Sequence, residues 1–181
     1  SDDIPIDLNS DLYRNLRQSL LDFGDPFQSL QLEIRELMFV VIQANIRILP
    51  DYQWEPVVTE VRSALLDAFS FERRELGQDV VLSEVLSVMQ AVRGVAYVDV
   101  DAFGGIPEKQ FKPDKGRQLL TPAEIAKHVQ EFVALQKNRP NTRLTVNLAN
   151  FEPEDHDLIH PAQLAFLTPE VPETLILNQI H

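Results

Sequence analysis

Four titratable residues stand at spacings that a metal site or an acid–base pair uses. Asp99 and Asp101 are two apart, so on a strand both carboxylates leave the same face. His156 and His160 are four apart, so on a helix both imidazoles share a face, as a zinc site requires. Each spacing also has an ordinary explanation. Asp99 and Asp101 alternate with Val98 and Val100, and a half-buried strand produces that alternation with no chemistry at all. His156 and His160 lie between Pro153 and Pro161 in a stretch with no helical period. No Glu follows His156, as the zinc-protease helix signature demands. His128 has no acidic partner at a diagnostic spacing and reads as a surface or boundary residue. The first reading is therefore a solvated strand face and a polar loop. The alternative is a metal-dependent hydrolase using Asp99, Asp101, His156 and His160.

Nucleophilic chemistry has still less to draw on. There is no Gly-x-Ser-x-Gly elbow, and Ser83 reads as the N-cap of a helix. Gly104-Gly105 lacks the Gly-Lys-Ser/Thr ending of a phosphate loop. Lys115 and Arg117 are two cations in a loop, read as solvated. Glu72, Arg73, Arg74 and Glu75 form a compact run of mixed charge, either an ion cluster at a helix end or a subunit contact. With no cysteine, disulfides, thiolate catalysis and cysteine zinc sites are excluded.

The elements that must position these residues can be read from periodicity. Leu12, Tyr13, Leu16 and Leu20 recur at helical spacing over 9–22, with Asn9 or Ser10 as cap and Gly24-Asp25-Pro26 as stop. Val40, Ile42, Ala44, Ile46 and Ile48 alternate along a strand over 37–49; Gln43, Asn45 and Arg47 fall on its opposite, wet face. An amphipathic helix follows over 54–70, with Pro56 in its first turn. Gly77 permits a turn, Val80 to Leu82 a short strand, and Glu84 to Val92 a helix that Gly94 ends. Val95 to Phe103 is a strand with Ala96, Val98 and Val100 on one face. Residues 104–120 read as loop. Thr121-Pro122-Ala123-Glu124 is a capping box opening a helix to about Gln136. Leu144, Val146 and Leu148 mark a strand, and 163–167 and 174–180 are extended segments separated by Pro169 and Pro172.

The fold class is therefore α+β: a small mixed sheet with helices packed mainly on one face. Its core runs strand, helix, short strand, helix, strand, and a C-terminal helix and strands follow. Three regions are expected: an N-terminal helix and arm (1–31), an α/β core lobe (32–103), and a loop, helix and strands packed on that core (104–181). Hydrophobic residues at 44% and charged residues at 24% fit a soluble globular chain of this length. No apolar run approaches the roughly 18 residues that span a bilayer. The net charge of −12 argues against broad nucleic-acid binding, which rests on Lys and Arg meeting phosphates. The acidic start, Ser1-Asp2-Asp3, has neither an initiator Met nor a signal-peptide pattern, and reads as the start of an excised piece.

Two adjoining stretches resemble a known family. Ser70-Phe71-Glu72-Arg73-Arg74-Glu75-Leu76-Gly77-Gln78-Asp79-Val80-Val81-Leu82-Ser83-Glu84-Val85 is followed by Gln90-Ala91-Val92-Arg93-Gly94-Val95-Ala96-Tyr97-Val98-Asp99-Val100. Their order and spacing are similar to the C-terminal part of the baseplate J-like family, in its long "putative baseplate assembly protein" branch. Pro161 to Pro169 and Thr174 to Asn178 resemble it too, and Leu21 to Pro26 more faintly. The stretch from Gly104 to Asp157 carries no matching motif. The resemblance implies a wedge subunit of a contractile phage tail or phage-like injection particle, made in the bacterial cytoplasm and then built into the particle. It implies a structural role and no enzyme, no cofactor and no metal. The implied partners are other baseplate subunits and further copies of the chain in a ring, with neither nucleic acid nor membrane. Phe71, Gly77 and Gly94 are expected to be critical to the fold, Phe71 by anchoring the end of the 54–70 helix to the core and the two glycines by permitting the chain to turn. Candidate contacts are Glu72, Arg73, Arg74, Glu75, Lys115, Arg117, Leu175 and Leu177. An unrelated soluble adaptor module remains a further alternative.

Overall fold

The structure is a computed structural model that describes residues 10–25, 32–112, 116–136, 139–151 and 159–180. Helix α1 (Asp11–Phe23) starts at Ser10, whose Oγ accepts the Tyr13 N–H at 3.3 Å. Strand β1 (Glu36–Ile48) is the axis of the fold. Helix α2 (Trp54–Ala68) leads through a 3-10 turn (Phe71–Arg73) to the short strand β2 (Val80–Val81), helix α3 (Leu82–Gln90) and the long strand β3 (Val95–Pro107). A hairpin follows, β4 (Lys109–Lys112) with β5 (Gly116–Leu119), then helix α4 (Pro122–Gln136). Short strands β6 (Arg143–Leu144), β7 (Asn150–Phe151) and β8 (Ile159–His160) precede β9 (Gln163–Phe166), a 3-10 turn (Pro172–Thr174) and β10 (Leu175–Gln179).

The central sheet is mixed, as expected. β3 lies antiparallel along one edge of β1. On the other edge β9 pairs parallel with residues 36–39 of β1, and β10 pairs parallel with residues 42–46. One long strand is thus flanked on one side by a single strand and on the other by two short ones in line. Strands of the region 104–181 thus complete the sheet, with β9 and β10 along one edge of β1 and the end of β3 along the other.

Alternation along β1 decides what each face carries. Val40, Ile42, Ala44 and Ile46 point into the main core with Val57, Val61 and Leu65 of α2 and with Val85 and Met89 of α3. Val41 points the other way, into a second cluster with Ile106, Ile125 and Val129, where Phe132 of α4 also packs. So α2 and α3 share one face, and α4 covers half of the other. Past Val41, that second face is the wet one expected. Asn45 Nδ2 donates to Asp101 Oδ2 at 2.7 Å, and Asn178 Nδ2 donates to Asn45 Oδ1 at 3.3 Å.

β3 departs from simple alternation twice. Its register against β1 shifts between Gln43 and Ala44 and again between Arg47 and Ile48. Each bulge inserts an extra residue and resets which side chain faces the core. The result is that Val98, Val100 and Phe103 all enter the main core. At the far end Val95 packs there and Ala96 is exposed, the reverse of the expected placement. Phe103 N–H, beside the first bulge, donates to Gln136 Oε1 at 3.1 Å, which ties the sheet to the end of α4.

Three more expectations are corrected. Residues 104–120 are not loop: β3 runs on to Pro107 and the β4–β5 hairpin follows. Gly104 and Gly105 look like loop residues, but here they make room. A Cβ on Gly104 would collide with the Phe132 ring, and one on Gly105 would lie 2.7 Å from Met38 Sδ. Ser83 is no cap, since α3 begins at Leu82 directly from β2, and the Leu82 N–H donates to Thr142 O at 2.9 Å. The strand expected over 144–148 is shorter. After Leu144 the Val146 N–H turns to Asp79 Oδ1, at 2.8 Å, in place of a strand neighbour.

The capping box of α4 forms as the sequence implies. Thr121 N–H donates to Glu124 Oε2 at 2.8 Å, and Glu124 N–H donates to Thr121 Oγ1 at 3.3 Å. Thr121→Ala removes one of these reciprocal bonds at an exposed helix end, so about 1 kcal/mol of stability should go. Urea denaturation should show this as a lower midpoint with an unchanged slope.

Candidate interaction surface

The residues singled out as fold-critical sit where the chain turns. Gly77 (φ +70°) and Gly94 (φ +97°) both have the positive φ that glycine adopts without strain. Phe71 is 37% exposed, so it is not the anchor of α2 in the core; Phe69, 1% exposed, fills that place. Phe71 instead stands edge-on to Phe166 of β9, with ring centroids 5.6 Å apart, and carries the Arg35 guanidinium 4.8 Å above its ring. It fastens the turn after α2 to the sheet edge from outside.

The mixed-charge run divides by role. Glu72 and Glu75 are exposed, and Arg73 pairs with Asp67 at 3.0 Å in the open, where an ion pair contributes little. These three face solvent and can meet a partner. Arg74 does not. Its side chain is 2% exposed and its Nη2 donates to Gln78 O at 3.0 Å and Asp79 O at 2.7 Å. The guanidinium also lies 5.7 Å from the Phe69 ring centroid, and Glu84 stands 3.9 Å from Nη1. Arg74 therefore holds the 74–80 turn closed, and as a contact residue it is corrected. So is Leu175, which is 3% exposed in the main core; Leu177 packs against the same core from partial exposure. Arg117 lies on β5 opposite Phe111, and Lys115 falls outside the described residues.

The described groups of the hydrolase alternative, Asp99, Asp101 and His160, do not converge. Asp99 lies opposite Asn45 in the sheet, and Asp101 accepts from Asn45 beside it. His160 lines a cleft with Glu36, at the opposite end of β1. Asn45 lies nine residue steps along the strand from Glu36, roughly 30 Å at the usual rise. His156 falls outside the described residues. The cleft has a volume of about 620 Å³ and is lined largely by polar groups, including Asn147, Asn150 and Gln163. Several of these groups already bond one another. Gln163 Nε2 donates to Glu36 Oε2 at 3.2 Å, and its Oε1 accepts the Asn147 N–H at 3.1 Å. Among the described residues, no three Asp, Glu or His side chains gather as metal ligands.

Sequence reasoning did not single out a carboxylate at the sheet edge. Glu108 is largely enclosed, and burial raises its pKa above the usual carboxylate value, opposed by Lys109 and Arg35. A raised pKa means the folded chain takes up this proton at a higher pH than the unfolded chain. The penalty for ionised Glu108 is thus fully present above the folded pKa and is relieved as pH falls toward the unfolded value. Glu108→Gln should therefore stabilise the protein at pH 7, and the gain should vanish in acid. Thermal melts of both proteins at pH 7 and pH 4 test this.

Among the described residues, several exposed large apolar side chains gather on α1, which was not among the candidate contact segments. None of its residues is buried; Leu12, Leu16, Leu20, Leu21 and Phe23 all lie open. The signal was present in the sequence, because the leucine spacing that predicts the helix also predicts an apolar face needing cover. No helix among the described residues is long and apolar enough to cross a membrane. In comparisons with known proteins, no family model, no curated protein and no solved structure matches this chain.

Proposed function

We propose that this chain is a structural subunit of a contractile-tail baseplate, a wedge piece that works by gripping neighbouring subunits. The observation that carries the reading is how the two stretches resembling the baseplate J-like family spend their side chains. Arg74 closes a turn, Gly77 and Gly94 reverse the chain, Asp79 holds residues 143–146, and Val80, Val85, Val98 and Val100 fill the core. Each residue builds shape, and the exposed remainder offers charge and apolar area to partners. A rigid mixed sheet bearing exposed contact elements is what a wedge needs to pass force between neighbours.

The test is to place an affinity tag on the chain in its own cells and purify the contractile particles. The tag is expected at the baseplate end of the particle by cryo-electron microscopy, and deleting the coding region should abolish assembled tails. Intact tails without the chain would refute the reading.

A further inference from the structure

The apolar residues of α1 form a seam with unusual symmetry. Tyr13, Leu16, Leu20 and Phe23 follow one another at intervals of three, four and three residues, the spacing of a seam that packs against another helix. With Leu12 they occupy an arc of roughly 100°. An arc this wide normally faces a core, yet Leu12 is 61%, Leu16 49%, Leu20 38% and Phe23 90% exposed. Only Tyr13 is half-covered, its Oη donating to Leu32 O at 2.9 Å.

The order of residue types reads the same in both directions: aromatic, leucine, leucine, aromatic, centred on Gln18. A two-fold contact requires a patch complementary to itself. This one is, because an antiparallel copy sets Tyr13 against Phe23 and Leu16 against Leu20, and then repeats both pairs. Charge permits the approach. Asp11 and Asp22 balance Arg14 and Arg17, so α1 is formally neutral on a chain of net charge −12. Any other surface that shares the chain's overall acidity repels its copy more strongly.

From this geometry we infer that α1 is a self-association element, by which two copies of the chain pair through antiparallel α1 helices. The inference goes beyond the baseplate reading and does not depend on it. Two features bound its strength. The helix is about 20 Å long, so the contact falls short of the roughly 800 Å² per partner of a standard interface. Arg17 of each copy also comes to the same flank of the pair, and both chains are acidic. Association is therefore weak, with a dissociation constant on the order of 100 µM, and it strengthens with salt as these repulsions are screened.

Sedimentation equilibrium of the full chain from micromolar to millimolar concentration tests the pairing. The expected result is a reversible monomer–dimer equilibrium, at least several-fold tighter at 0.5 M than at 0.05 M salt. Leu16→Glu with Leu20→Glu should leave only monomer and keep the melting temperature, because neither leucine packs in the core. A chain monomeric at every concentration overturns the inference and leaves the seam to a different protein. A dimer that survives the double substitution overturns it as well. The absence of native cysteine allows the direction to be read separately. On mild oxidation, Leu12→Cys mixed with Phe23→Cys should cross-link far more than either variant alone. Cross-linking of like with like overturns the antiparallel arrangement.

Discussion

Arg74→Ala is expected to cost about 2–5 kcal/mol, at about 1–3 kcal/mol for each buried acceptor left unmet, enough to unfold much of a population of ordinary stability. The size comes from what the guanidinium leaves behind. Its Nη2 serves two backbone carbonyls, Gln78 O and Asp79 O. Losing the donor strands both acceptors beside a buried void, and an unmet buried polar group costs more than a made bond contributes. The damage spreads, because Asp79 follows directly. Its Oδ1 accepts from Val146 N–H at 2.8 Å and its Oδ2 from Arg143 at 3.2 Å, so the same turn fixes how residues 143–146 meet β2. Burial draws the Arg74 pKa below the usual arginine value, while Glu84 and Asp79 pull it back up. The ion pair is nonetheless secondary, since Glu84 is 46% exposed and 3.9 Å away. Two controls separate these effects. Glu84→Ala should change stability by no more than about 0.5 kcal/mol. Arg74→Lys, which keeps charge but loses the planar fork, should fall between wild type and Arg74→Ala. Equal losses for Glu84→Ala and Arg74→Ala in urea denaturation would show that the salt bridge, not the carbonyl pair, holds the turn.

How far this could be read from sequence depends on whether the deciding contact was local. The capping box at Thr121 to Glu124 is complete within four residues, and α4 forms where it says. The alternation from Val40 to Ile46 is set by strand geometry alone, and it correctly separates a greasy face from a wet one. Contacts between distant segments were not legible. Nothing near Arg74 tells it from Arg73: both belong to one charged run, and only the chain's return at Gln78 and Asp79 buries one of them. The bulges in β3 are similarly hidden, because period-two reading has no way to know that Phe103, not Ala102, must follow Val100 into the cluster under α2 and α3. Gly104 and Gly105 carry the signature of a loop until Phe132 and Met38 arrive to fill the space above them. The candidate contacts fared unevenly for the same reason. Surface charge near a helix end was recognisable, but burial of Arg74 and Leu175 was a property of the assembled sheet.

Gly94→Ala is the second substitution with a large expected effect, and here backbone and packing act together. Gly94 sits between α3 and β3 with φ at +97°, outside the region where a side chain is comfortable. A β-carbon there would lie 2.6 Å from Tyr52 Cδ1 and 2.9 Å from Val57 Cγ2. Neither neighbour can easily yield. Tyr52 belongs to the turn after β1, where its N–H donates to Leu49 O at 3.0 Å, and Val57 is 3% exposed in the core. Gly94 O also accepts the Leu49 N–H at 2.8 Å, so relieving the clash by moving the backbone breaks a bond between the two turns. Strain of 1–2 kcal/mol for the positive φ adds to roughly 1–3 kcal/mol for overpacking, giving a loss of about 3 kcal/mol or more. For a chain of this size that is a fall of about 10 °C in melting temperature. Gly77 provides the comparison. Its φ of +70° is one that asparagine tolerates, and its neighbour is the exposed side chain of Leu148, which is free to swing away. Gly77→Asn should therefore cost about 1 kcal/mol or less, whereas Gly94→Asn should remain nearly as damaging as Gly94→Ala. If both asparagine variants melt alike, the asymmetry between the two turns is wrong, and Gly94 is held by its dihedral angle rather than by Tyr52 and Val57.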